Sequence, residues 1–471
     1  MPGICVIRRF GLLAFFFFCS LLSFLYAEPL ELQDTKLTVQ DIEISGNYKT
    51  RQQVILSELP FAIGSSIEMM DLMVVTERAK ENLLNTSLFN SVEISFYYPD
   101  IHSVVFTIEV SERWYLWVFP IFENEGRNFS DFLRLNDGNF FNYGLYVKHD
   151  NFRGRKEVLK LRAVTGYKTQ LVFGYRNPGL NNQSGWGIDA GWLWNDRVAY
   201  GTVDDKQVFL KTLGDRLLTT TNVTLSYYYR HNLDHYHSVF AGFMNIDAAD
   251  TLLAYNPDML PLQQSTSETI TLGYNYMYDK RDSKIYPLKG LFIEAEIIRE
   301  GFGLESDYEG FFRGRGAVAY HNRLGEKLYY NTRGFVSLVD LDKVPYIFRT
   351  GLGYEEYLNG FEFRVIDGTS YGGLQSKLLY ELIPRKDIRL KWMPLEQFSH
   401  FHYAFYIKLH FDAGYVYNNF EQDVNRMANE LLLGYGVGID MLTFYDKVLS
   451  LNYSFNNFAE HGFYFHFNLT L

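Results

Sequence analysis

The sequence predicts a mainly β protein: a 16-stranded antiparallel transmembrane β-barrel preceded by one small α+β domain. The last ten residues, 462–471, alternate without a break. Phe463, Phe465, Phe467, Leu469 and Leu471 fall on one face, and Tyr464, His466, Asn468 and Thr470 on the other. A period of two marks a strand with different surroundings on its two faces, and a lipid face opposite a polar lumen gives this pattern. From Trp114 onward the helical period disappears and strand-like windows recur. Aromatic residues make up 17 % of the chain, with 36 Tyr and 40 Phe. That abundance suits aromatic girdles at two membrane interfaces.

The beginning of the chain fits an exported protein. Arg8 and Arg9 precede an apolar run from Phe10 to Tyr26, and Ala27 supplies a small residue before Glu28-Pro29. A charged start, an apolar middle and a small residue at the cut describe a secretory signal peptide over residues 1–27. The other reading is a membrane-anchoring helix, for which about 17 apolar residues is the short limit. Residues 28–36 read as a linker. Both cysteines, Cys5 and Cys19, lie in the leader, so the exported chain has no thiol for disulfides, catalysis or metal binding. Removing the leader takes Arg8 and Arg9 but no acid, which moves the net charge from −11 to −13. Such a balance argues against nucleic acid as a partner. Mean hydropathy is −0.15, and no later segment reaches the ~20 apolar residues of a helical span. A barrel escapes that test because every second residue is polar.

Residues 37–112 read as the small domain. Leu37 to Ser45 alternates as a strand, and Gly46-Asn47 is a turn signal. Thr50 is placed to cap a short helix that runs to about Leu59 and stops at Pro60. A longer helix, about Glu68 to Asn85, carries Leu72, Val75, Ala79 and Leu83 at spacings of three and four. Strands at 91–98 and 103–110 close the unit, in the order β-α-α-β-β.

Residues 113–471 read as the barrel. Strand windows fall near 114–122, 141–150, 155–166, 168–178, 185–196, 204–213, 217–232, 268–280, 290–300, 307–322, 327–340, 374–385, 404–418, 431–442, 448–458 and 462–471. Residues 237–247 form a further candidate. Even strand numbers are the rule for single-chain bacterial barrels, so that window reads as loop or strand extension. Leu159, Leu161 and Ala163 oppose Lys160 and Arg162, while Phe405, Ile407, Leu409 and Phe411 oppose Tyr406, Lys408, His410 and Asp412. Charge on the second face implies a wet lumen and disfavours two packed β-sandwiches.

Particular residues then point to a family. Ile42, Gly46-Asn47, Thr50, Ile55, Gly64, Leu72, Leu83, Phe89, Val92, Val105, Ile108, Val110 and Glu112 resemble the pattern of a POTRA domain. Asp279-Lys-Arg-Asp282 with Tyr286-Pro287-Leu-Lys-Gly290, the Leu358–Gly368 stretch, Phe411-Asp412-Ala-Gly414 and Glu460–Phe467 resemble, in order, four motifs of the BamA-type surface-antigen family. The resemblance covers about residues 37–471. It implies a loop motif in the lumen at Asn359, Gly360, Phe361 and Arg364, lumen acids at Glu381 and Asp412, and a terminal targeting strand marked by Gly462, Phe465 and Phe467. The family carries an arginine where this chain has Asn359. Arg364, five residues on, is one candidate for the missing cation beside the acids; a less firmly held loop is the other.

No cofactor, metal site or catalytic group is expected. His231, His235 and His237 fall in a stretch that reads as loop, without an acid or cysteine ligand set. No serine sits in a nucleophile elbow, and a phosphate-cradling loop needs a strand before it and a helix after it. The resemblance implies a protein of the outer-membrane bilayer that inserts β-barrel proteins or translocates a partner polypeptide. Its partners would be unfolded outer-membrane or secreted clients, captured by the POTRA-like domain, with periplasmic chaperones or lipoproteins as further partners. A passive porin, or a surface adhesin or antigen, is the alternative. The long loop from Leu341 to Gly368 argues for a plugged lumen and against a free pore.

Overall fold

The computed structural model describes residues 36–124, 141–166, 168–179, 183–212, 215–304, 308–390, 392–394, 396–419, 425–443, 445 and 447–468. The leader and the last three residues lie outside these.

The first unit is a four-stranded mixed sheet in the order β2-β1-β4-β3. Its strands are β1 (Lys36–Ser45), β2 (Ser66–Glu68), β3 (Phe89–Asp100) and β4 (Ser103–Glu112). Two helices, α1 (Gln52–Leu56) and α2 (Leu72–Asn85), accompany it. Leu37, Val39, Ile55, Leu72, Leu83, Phe89, Phe106 and Ile108 form its buried core. Two details differ from the sequence reading. Thr50 does not cap α1: Arg51 holds that position without a side-chain bond. The Thr50 hydroxyl instead donates to Glu112 Oε1 at 2.6 Å and lies 3.0 Å from the Tyr115 hydroxyl. The long helix begins at Leu72, because residues 66–68 pair with β1 first. Tertiary partners outbid local propensity at both places.

The second unit is a 16-stranded antiparallel sheet. In chain order its strands are β5 (Leu116–Asn124), β6 (Phe141–Phe152), β7 (Glu157–Gly166), β8 (Lys168–Asn177), β9 (Ser184–Asn195), β12 (Leu218–Arg230), β13 (His235–Ala248) and β14 (Thr266–Asp279). Then follow β15 (Gly290–Gly303), β16 (Phe311–Arg323), β17 (Leu328–Val339), β20 (Ser370–Arg389), β21 (His400–Tyr417), β22 (Leu432–Thr443), β23 (Lys447–Asn456) and β24 (His461–Asn468). β5 and β24 are the two ends of the sheet order. The sheet curls until its start meets its far turns. The ring centres of Trp117 and Tyr445 are 5.1 Å apart, those of Trp114 and Phe398 are 6.0 Å apart, and the Trp114 amide donates to the Tyr445 hydroxyl at 3.2 Å.

The strand number agrees with the sequence reading, but one strand was misassigned. Residues 237–247 are the middle of β13, a full barrel strand. The window 204–213 instead lies in a separate hairpin of β10 (Arg197–Val203) and β11 (Lys206–Lys211). Asp204 and Asp205 sit at its turn with φ of +50° and +55°. This left-handed pair suits a tight hairpin. His235 and His237 therefore belong to a strand. They pair with the hydroxyls of Tyr276 and Tyr274, each at 2.8 Å, within an aromatic belt.

Alternation places the two faces as expected. Leu225, Val239, Ile297, Leu338, Leu409 and Phe463 lie exposed on the outer wall. Tyr406, Lys408, His410, Asp412 and Tyr464 are buried on the inner face.

Candidate functional site

The inside of the barrel is occupied from both ends. The loop between β17 and β20 folds inward, with a short ladder of β18 (Thr350–Leu352) and β19 (Ile366–Gly368) at its base. On one wall Arg313 of β16 donates to the Phe348 carbonyl at 2.8 Å and the Thr350 hydroxyl at 2.6 Å. Arg333 of β17 forks onto both oxygens of Glu356.

Beyond β20, on the same side of the barrel, the loop tip meets β21, β22 and β23. The Asn359 amide nitrogen and side-chain Nδ2 both donate to Asp412 Oδ2, at 2.8 and 2.7 Å. Asn452 of β23 donates to Asn359 Oδ1 at 3.1 Å, and Asn456 donates to the Gly360 carbonyl at 2.7 Å. Gly360 has φ +90°, and a Cβ there would stand 2.7 Å from the Phe455 carbonyl oxygen. Gly434 of β22 leaves room for the Asn359 carbonyl, which a Cβ would meet at 1.8 Å. Phe361 is buried with Leu352, Leu358, Ile366, Val416 and Leu432.

The sequence-named residues are thus only partly brought together. Asn359, Gly360, Phe361 and Asp412 share one site. Arg364 does not supply a cation to the acids: its guanidinium pairs with Glu460 in the turn before β24, and donates to the Asp204 carbonyl at 2.7 Å. Glu381 is also elsewhere. It lies opposite Tyr406 while Asp412 lies opposite Gln375, six residues along the strand, about 20 Å at ~3.3 Å per residue. The two carboxylates therefore do not crowd one another. Gly462, Phe465 and Phe467 pair with Ser454, Leu451 and Leu449 of β23.

From the other end, the turn 280–289 also folds into the lumen. Arg281 forks onto Asp279 at 2.7 and 2.8 Å, and Asp282 Oδ1 accepts the backbone amides of Ser283, Leu288 and Lys289. This frame aims Tyr286 inward, where its hydroxyl donates to Asp440 Oδ2 at 3.0 Å. Asp440 is paired with Lys408, and both are buried. Sequence reasoning missed that pair. The signal was available in the alternation of β21, where Lys408 lies on the same face as Asp412.

The small domain docks beneath the same end. Glu58, just past the end of α1, is buried between Lys156 Nζ at 2.6 Å, from the turn before β7, and Arg230 at 2.9 Å, from the end of β12. Burial pushes the Glu58 carboxyl up, and the two cations more than reverse this, holding it below the usual glutamate range. Arg78 of α2 reaches Asp234 at 2.5 Å. Asn85 donates to the Asp282 carbonyl at 3.2 Å and accepts from the Lys284 amide at 3.1 Å. Asn151 donates to the Thr50 hydroxyl at 2.8 Å. A cavity of about 650 Å³ remains between α1 and the 231–234 turn, lined by Gln53, Leu56, Pro60, Arg230 and Leu233. Among the described residues, no group of three or more His, Cys, Asp or Glu side chains is arranged to hold a metal.

Comparison with known proteins agrees with this architecture. The family model POTRA, described as "Surface antigen variable number repeat", matches residues 37–113. No curated protein matches the chain by sequence. Among solved structures, that of BamA from Haemophilus ducreyi lacking POTRA domains 1–3 is similar, with a TM-score of 0.51 and 14 % identity, covering 91 % of this chain and 84 % of that one. CdiB from Escherichia coli gives a TM-score of 0.49 at 12 % identity, over 94 % and 92 % of the two chains. CdiB from Acinetobacter baumannii gives 0.49 at 12 %, over 92 % and 73 %.

Proposed function

We propose, for a chain that joins a POTRA domain to a barrel of BamA fold and so belongs to the BamA-type surface antigen family, that it inserts β-barrel proteins into the outer membrane or translocates a partner polypeptide across it. The observation that carries this reading is the seam. β5 and β24 end the sheet order, and the docked POTRA domain adjoins the start of β5 through Tyr115, whose hydroxyl donates to the Leu88 carbonyl at 3.0 Å. A sheet end offers backbone donors and acceptors in a row, which an incoming strand can use. Pro120 in β5 removes one donor, a substitution tolerated at sheet ends.

In this reading residues 1–27 direct export, and the POTRA domain faces the periplasm and receives an unfolded client. The terminal strand marked by Gly462, Phe465 and Phe467 presents the chain's own assembly signal. Burial of the client's apolar strand faces in lipid drives the step. Periplasmic chaperones or lipoproteins would deliver clients. A passive porin fits less well, since two inward segments fill the lumen.

The test is reconstitution of the barrel in liposomes, with and without residues 28–112, followed by addition of urea-denatured outer-membrane proteins. Folded client is read over time by its heat-modifiable gel shift. Acceleration that depends on residues 28–112 is the expected result. If a broad client panel shows none, insertion is ruled out and single-partner translocation takes its place, with bilayer conductance deciding between that and a structural role.

A further inference from the structure

The loop that enters the lumen also grips the last strand. The Tyr357 ring lies parallel to the His466 imidazole, with centres 5.2 Å apart and planes inclined by 11°. Its hydroxyl is 3.4 Å from His466 Nδ1. The other imidazole nitrogen, Nε2, is 3.4 Å from Glu362 Oε1, a contact that is not a hydrogen bond and becomes an ion pair when the imidazole is protonated. Glu362 is buried, and its second oxygen accepts the Gly360 amide at 2.7 Å, which fixes the carboxylate's direction. Phe363 packs on Tyr464 with ring centres 5.1 Å apart. Arg364 then holds Glu460, in the turn that leads into β24.

Tyr464 and His466 are alternate residues on the inner face of β24. The loop therefore touches that face at two places and its entry turn at a third. The ladder of β24 runs to β23, from Val448↔Asn468 to Phe455↔His461. A strand at the end of a sheet frays at low cost. Side-chain contacts from the lumen add to its hold without adding a ladder on its other edge, with which no strand pairs among the described residues. This meets two opposing demands on a seam strand, fixed register and an available edge.

We propose that Glu362 is the positioning residue of the seam. Acting through His466, with Tyr357 as the opposing jaw, it holds β24 in register from inside the lumen while its outer edge stays open to a client strand. This rests on the seam reading above.

Hydrogen–deuterium exchange of the full folded chain in nanodiscs tests the inference without any client. The variants are Glu362→Gln, His466→Gln and the double. Each single variant should speed exchange of the amides of residues 461–468 about five- to tenfold, and the double should be no faster than the faster single, because both remove one contact. Amides of β16 and β17 should not change. Unchanged exchange in β24, additive effects, or equal acceleration in β16 and β17 would each overturn the proposal. Should Glu362→Gln fail to fold, Tyr357→Leu is read in the same way, and an unaffected β24 there also overturns it. Insertion activity is then measured on the same preparations. An active insertase with an unaltered β24 removes only the clamp. A chain without activity but with a loosened β24 removes only the insertion reading.

Discussion

Asp412 is a buried carboxylate held through one oxygen, Oδ2, while its Oδ1 has no hydrogen-bond partner among the described residues. Two donors from Asn359 converge on that oxygen, Oδ2, one of them a main-chain amide that every residue except proline would keep. The side-chain donor is removable. Asn359→Leu should lower the stability of the loop region by about 1.5–3 kcal/mol, the range for a hydrogen bond to a charged group. A lower urea midpoint in the heat-modifiable gel shift is the expected reading, and an unchanged midpoint would show that the main-chain donor suffices. Gly360 is constrained differently. At φ +90°, with the Phe455 carbonyl 2.7 Å from any Cβ, Gly360→Ala combines a left-handed penalty of about 1–2 kcal/mol with a clash. A reduced folded fraction after refolding checks it. Arg364, by contrast, acts between the β10–β11 turn and the turn before β24, so its loss should loosen those turns and leave Asp412 in place.

The POTRA domain and the barrel are separate elements joined by ion pairs and hydrogen bonds. Glu58 lies at the centre, between Lys156 and Arg230. Removing one member of a buried ionic group leaves the others uncompensated, so Glu58→Gln should weaken docking by about 3–5 kcal/mol. The pH dependence has a definite sign. The docked carboxyl titrates below its undocked value, so its contribution is full above the ordinary glutamate pKa of about 4.3 and is lost as pH falls through the lowered value. Spin labels at exposed Glu77 and Glu326, introduced as the only cysteines of the exported chain, report the result. A narrow distance distribution at neutral pH should broaden in acid, and in Glu58→Gln at every pH. A distribution that stays narrow in the variant would show that Arg78 and Asn85 hold the domain without Glu58.

At the scale of the whole molecule, the barrel is a container filled from two sides. The 340–369 loop enters from one end and Tyr286 from the other, and they contact adjacent strands of the same wall, at Asp412 of β21 and Asp440 of β22. Replacing residues 354–365 with a short Gly-Ser linker should therefore raise single-channel conductance, and unchanged conductance would mean that the Tyr286 turn alone closes the lumen. The outer wall obeys a different solvent. Leu409 is exposed there, one residue from buried Lys408. Leu409→Arg should cost about 2–4 kcal/mol if it lies near the bilayer midplane, read as slower folding into liposomes. A wild-type rate would argue that this face does not meet lipid.

The sequence by itself determined the two-part architecture, the strand number and the faces. Those follow from local periodicity: Leu409 and Lys408 must point apart in any strand, and a period of two needs no partner to be visible. The Asn359–Phe361 motif was legible only through its resemblance to a family loop motif, not through periodicity. Periodicity does not report which strands are neighbours. The need for an even strand number left residues 237–247 of β13 as loop or strand extension, because a hairpin whose Asp204-Asp205 turn had gone unread was counted as a barrel strand in its place. Nor does periodicity measure distance across a lumen. Only the tertiary structure decided that Arg364 serves Glu460 and Asp204, that Glu381 stands apart from Asp412, and that Glu58 meets Lys156 and Arg230. Each of those contacts joins residues about a hundred positions apart or more, or depends on register, and a side chain's charge partner is set by where the sheet's curl brings the chain together.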